Sequence, residues 1–148
     1  MKSAYRVLAG LTCLLVLVQA AAIAFGTFGI IAFVEDGNDY TKAIGEERAA
    51  EAGGIGQNIH SFGAMAIALV AILLLIVSFF AKIDGGVKWA GIVFVAVLLQ
   101  WVFAIIAFSA PVVGLLHGLN AFVIFGTAMT AMQRAKSATS APVAAATV

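Results

Sequence analysis

The chain has 148 residues, of which 64% are hydrophobic and only 10% charged, with a net charge of +1. Soluble domains carry about 25% charged residues, and a soluble fold of this length cannot hide so much apolar surface, so the composition points to one membrane-embedded unit. The near-neutral balance offers no field for nucleic acid. The single cysteine, Cys13, excludes an internal disulfide or a CxxC site and reads as a small packing residue.

The first apolar run extends from about Val7 to Phe33. Lys2 and Arg6 ahead of it, and Gln19-Ala20-Ala21-Ala22 within it, imitate a signal peptide with a cleavage site. The run continues to Val34, too long for a signal core, so it predicts an uncleaved signal anchor that is itself the first span. A loop over residues 34–57 follows. It carries Glu35, Asp36, Asp39, Glu46, Glu47 and Glu51 against Lys42 and Arg48. Within it, Tyr40–Ala52 predicts a short surface helix ending before the Gly53-Gly54 breaker.

Three more runs are long enough to cross ~30 Å of hydrocarbon as helices. They cover about 58–81, 87–108 and 112–132, separated by Asp84-Gly85-Gly86 and by Ser109-Ala110-Pro111. None alternates with period two, which excludes a β-barrel. The short links predict antiparallel neighbours. Residues 1–136 thus form a four-helix transmembrane domain, and residues 137–148, rich in Ala, Ser and Thr, a disordered tail.

Charge sets the expected topology. Lys2, Arg6, Lys82, Lys88, Arg134 and Lys136 fall on one side, opposed there only by Asp84. Basic flanks stay in the cytoplasm, which predicts both termini inside and the acidic loop outside, in a bacterial plasma membrane. Tyr5 and Trp89 are expected as interfacial rings on the inner side.

The halves repeat. Leu14-Leu15-Val16-Leu17-Val18-Gln19 matches Val95-Ala96-Val97-Leu98-Leu99-Gln100, and His60-Ser61-Phe62-Gly63-Ala64 matches His117-Gly118-Leu119-Asn120-Ala121. Each hairpin therefore carries a glutamine on its outgoing helix and a histidine near the outer start of its return helix, as duplicated hairpins would. The fold expected is an all-α antiparallel four-helix bundle of two repeated hairpins.

His60 and His117 are the only histidines. Ionisable residues within a membrane are costly and usually functional, and two neutral imidazoles at matched depth in a bundle suit bis-axial ligation of heme iron. Ser61, Gly63, Ala64, Gly114, Gly118 and Ala121 leave room for a flat macrocycle, and Phe62, Trp101, Phe103 and Phe122 are candidates to pack on it. A ligating histidine donates its second N–H to an acceptor, for which Gln57, Asn120 or the backbone serve. Lys42 or Arg48 are candidate partners for heme propionates. Against this stands helix gluing by histidine hydrogen bonds without a cofactor. Zinc, which takes three or four ligands, is disfavoured because no Asp, Glu or Cys lies near the pair. Gln19 and Gln100 read as interhelical hydrogen-bonding groups, with contact with a ligand as the alternative. No Ser/His/Asp set or phosphate loop is present.

Two segments carry a family resemblance. Leu99-Gln100-Trp101-Val102-Phe103-Ala104, followed by Pro111-Val112-Val113-Gly114-Leu115-Leu116-His117-Gly118-Leu119-Asn120-Ala121, resembles half of a heme A synthase. That family is built from four-helix bundles with a histidine on the second and fourth helix of each, which here implies His60 and His117. The chain also resembles a family of small four-helix bacterial membrane proteins common in actinobacteria. Heme A synthases carry an acidic residue shortly before the first histidine, where this chain has Gln57, and often an outer-loop cysteine pair, which it lacks. The resemblance therefore implies heme binding rather than heme A synthesis.

The resulting expectation is a b-type heme protein of the bilayer, ligated by His60 and His117 with Gln57, Gln100, Asn120 and Phe103 around them, serving electron transfer or heme handling. Candidate partners are a respiratory or other membrane complex and a second copy of the chain. The alternatives are a non-enzymatic accessory subunit and a half-size heme A synthase-like enzyme.

Overall fold

The computed structural model describes residues 1–140, and the regular secondary structure among them is helical. Helix α1 spans Lys2–Glu35, α2 Lys42–Glu47, α3 Ala52–Ala81, α4 Gly86–Ala107 and α5 Gly114–Ser140, with a 3-10 turn at Pro111–Val113 before α5. Four of these helices, all but α2, are long and apolar enough to cross a membrane. Leu, Val, Ile, Phe and Ala fill them with few charges, so the chain satisfies its backbone by intrahelical bonding.

The chain divides into two compact units that share α1 and α3. One comprises residues 14–67, the other residues 1–13 with 68–148.

In the unit of residues 14–67, α1 and α3 pair in opposite directions. Their contact is close enough to exclude side chains: a Cβ on Gly56 would overlap the backbone nitrogen of Gly26, and one on Gly26 would sit 2.9 Å from the Gln57 nitrogen. Small residues let membrane helices approach in this way and gain dispersion contact. This explains why α3 begins at Ala52, six residues earlier than the hydropathy pattern predicts. Gly53 and Gly54 do not break the helix. A Cβ on Gly53 would meet Ile30 Cγ1 at 3.0 Å, and one on Gly54 would meet the carbonyl oxygen of Ala49 at 2.6 Å. The surface helix of the loop is correspondingly shorter. It starts at Thr41, whose hydroxyl accepts the Ile44 N–H at 3.3 Å as an N-cap, and it ends by Glu47.

In the other unit, α4 and α5 also run in opposite directions. The α3–α4 link turns through Lys82 (φ 51°) and Gly85 (φ 66°), both left-handed. Gly85 is suited to such a position, since it carries no Cβ to clash. The first turns of α1 join this unit. Tyr5 is fully buried, and its hydroxyl donates to the Gly86 carbonyl at 2.8 Å. It is thus an internal tie and not the interfacial ring expected, because a buried phenol needs an acceptor and finds one there. Lys2 Nζ donates to the Ala138 carbonyl at 3.0 Å, and the Cys13 thiol approaches the Phe125 carbonyl at 3.7 Å.

Helix α5 continues through Ser140, so residues 137–140 are helical where the sequence predicts a disordered tail. Ala135 and Ala138 favour helix, and Ser137 bonds back to the Gln133 carbonyl at 3.2 Å. The rest of the expected tail, residues 141–148, lies outside the described residues.

Small residues predominate inside and most of the large aromatic ones lie outside. Ala9, Ala71, Ala90, Ala128, Ala131 and Ala135 are fully buried, whereas Phe108 is 91% and Phe122 77% exposed. In water, so much outward aromatic surface would drive association. In hydrocarbon it costs nothing, and close packing of small residues is what holds helices together.

Candidate functional site

Each unit contains one histidine, and each is held in the same way. In the unit of residues 14–67, the His60 ring Nδ1 lies 3.1 Å from the backbone carbonyl of Gln19. In the other, His117 Nδ1 lies 3.0 Å from the backbone carbonyl of Gln100. A carbonyl oxygen can only accept, so each Nδ1 carries the proton, and in the neutral ring the lone pair resides on Nε2. This is the tautomer required of an imidazole that ligates metal through Nε2, with the orienting N–H donated to a backbone carbonyl. Both rings are half-buried.

The acceptors facing Nδ1 are backbone carbonyls, one of the choices open from the sequence. Gln57 sits one turn before His60 and contributes its backbone to the contact with Gly26. Asn120 is buried and turned to α4, where its amide donates to the Ala96 carbonyl at 2.8 Å and to Gln100 Oε1 at 2.7 Å. His117, Gln100 and Asn120 thus converge on one stretch of the α4/α5 contact. Phe103, one turn beyond Gln100, is half-buried, while Phe62 (67%), Trp101 (42%) and Phe122 (77%) are exposed.

The space beside the two histidines differs. A Cβ on Gly114 or Gly118 would meet nothing within 4 Å, so the α5 surface next to His117 is open. Gly63 gives no such room. The Gln19 side chain lies over it, in contact through Nε2, and that nitrogen donates to the Ile59 carbonyl at 3.3 Å. Gln19 Oε1 is buried with no hydrogen-bond partner among the described residues. The expectation that Gly63 leaves space for a macrocycle is therefore corrected, since a glycine left bare by sequence is filled by a long polar side chain from the facing helix. The sequence does pair each glutamine with its histidine. That the glutamine acts through its main-chain oxygen carries no side-chain signature.

In the loop, Lys42 faces Glu46 at 3.8 Å, and the Arg48 Nε donates to Glu51 at 2.6 Å while its guanidinium stacks 4.4 Å above the Phe33 ring. Both cations expected to meet propionates have partners inside the loop. Among the described residues, no three His, Cys, Asp or Glu side chains gather as a metal site.

Comparison with protein-family models, curated proteins and solved structures finds no match.

Proposed function

We propose that the chain is a four-helix, multi-pass bacterial membrane protein, with both ends cytoplasmic, that binds b-type heme through the imidazoles of His60 and His117. The observation that carries this reading is the shared orientation: in each unit the histidine Nδ1 faces a glutamine backbone carbonyl, the arrangement that orients an imidazole ligating through Nε2. The open α5 surface at Gly114 and Gly118 adds room beside His117. Bound heme would supply one-electron chemistry, suited to electron transfer or heme handling. The residues of the chain orient the two rings. The resemblance to half of a heme A synthase points the same way, with Gln57 in the acidic position weighing against an oxidase.

The test is the absorption spectrum of the purified protein, reduced and oxidised, with the heme-to-chain ratio. Sharp reduced α and β bands at one heme per chain, lost in both His60→Ala and His117→Ala, are expected. A chain that stays colourless through heme titration overturns the reading.

A second reading has its own support. The two histidine–carbonyl bonds join helix to helix, which is how histidine glues membrane helices without a cofactor. An accessory subunit of this kind would lose stability or assembly in the same two variants with no spectrum to lose.

A further inference from the structure

The basic end of the unit of residues 1–13 and 68–148 carries a feature the heme reading does not use. The α3–α4 link and the last turns of α5 enclose an open cleft of about 510 Å³ lined by Ile83, Asp84, Thr130, Gln133, Arg134 and Ser137. Two contacts bring basic residues to it: Lys2 reaches Ala138, and Arg134 reaches Trp89. We propose that this cleft binds the phosphate headgroup of an anionic phospholipid.

The donors are charged and held in place. The Arg134 guanidinium lies 5.6 Å from the Trp89 ring centroid, a cation–π arrangement that fixes a long side chain before any ligand arrives. Among the described residues it makes no ion pair. Lys82 and Lys88 flank the link in sequence and are exposed. The N-terminus of α4 opens at the same end, and its cap residue, Gly85, offers no side-chain oxygen to the first-turn amides, leaving a positive dipole end. The hydroxyls contribute less, because Thr130 and Ser137 already donate to their own helix carbonyls at 2.9 and 3.2 Å.

The setting selects a lipid over a soluble anion or an acidic peptide. The cleft sits where an apolar helix ends, and one turn before it Phe79 and Phe80 are 63% and 64% exposed, a surface that acyl chains cover. Clusters of Lys and Arg just outside membrane helices attract anionic lipids, each charge adding about fivefold in affinity. Asp84 is the one carboxylate in the lining, and it opposes the phosphate.

The full chain in detergent, titrated with phosphatidylglycerol, phosphatidylcholine or inorganic phosphate and read by native mass spectrometry and thermal melting, tests the proposal. Phosphatidylglycerol should be retained and raise the melting temperature, while the other two do neither. Arg134→Gln should cut retention about fivefold, Asp84→Asn should increase it, and Lys42→Gln in the acidic loop should leave it unchanged. Should Arg134→Gln lose its helicity, the Lys82→Gln/Lys88→Gln double variant carries the same expectation. Equal retention of phosphatidylcholine, equal stabilisation by phosphate, or undiminished retention in a folded variant lacking these charges overturns the site.

Discussion

In one hairpin the histidine's carbonyl partner lies 41 residues back along the chain, and in the other only 17. The bond is the same to within 0.1 Å. A loop with its own short helix intervenes in the first case, and a tight link with a 3-10 turn in the second. Loop length therefore does not set the histidine's position; the register of the paired helices does. What surrounds the bond differs more. Around His60 the contact is backbone against backbone at Gly26 and Gly56, sealed by Gln19 lying over Gly63. Around His117 a side-chain bond between Gln100 and Asn120 ties the helices, and the glycines face open space. One unit packs the glycines beside its histidine, and the other leaves them bare.

The largest break in this comparison should come from adding bulk to glycine. Gly56→Leu forces a side chain into the Gly26 backbone and should cost about 3 kcal/mol or more, the upper range for overpacking. Gly118→Leu enters open space and should leave unfolding in mixed micelles within about 0.5 kcal/mol of wild type. In the heme reading, however, it should weaken heme retention. A titration that finds both variants equally unstable would erase the distinction between the units.

The glutamines sharpen it next. Asn120→Leu strips Gln100 Oε1 of its donor inside the contact and should destabilise by about 1–3 kcal/mol, the cost of an orphaned buried acceptor. Gln19→Leu removes an oxygen that already has no partner together with the 3.3 Å bond from Nε2 to Ile59, so the two effects offset and the change should be near neutral. Equilibrium unfolding of the two variants side by side reads the difference directly. Tyr5→Phe, which deletes the hydroxyl bonded to Gly86, should cost about 0.5–1.5 kcal/mol by the same measurement. Smallest of all, Arg48→Ala removes a partly exposed pair with Glu51 and should change stability by no more than about 1 kcal/mol.

The long helices were legible because hydropathy over some twenty residues has few rival explanations. Their ends were less so. Gly53-Gly54 has the composition of a breaker, and only the nearness of Ile30 and Ala49 turns it into helix. Residues 137–140 looked like tail because Ser and Thr dominate there, yet local bonding extends α5 over them. At the candidate site, the repeated glutamine and histidine were visible as letters. Their bond was not, since every residue has a carbonyl and only register chooses which one meets the ring. Gly63 misled for a related reason. An absent side chain signals space only when nothing from the facing helix occupies it, and Gln19 does.

Tyr5 has a consequence for how the protein is made. Its acceptor, the carbonyl of Gly86, lies 81 residues downstream. At ribosomal speeds of about 5–20 residues per second, that carbonyl is synthesised roughly 4–16 s after the tyrosine. The hairpin of residues 14–67 has all its own parts well before then, while the opening turns of α1 hold a phenol with no assigned acceptor. The opening turns of α1 are thus among the last to settle, and insertion of the nascent chain must tolerate a turn that stays unpacked until the third long helix arrives.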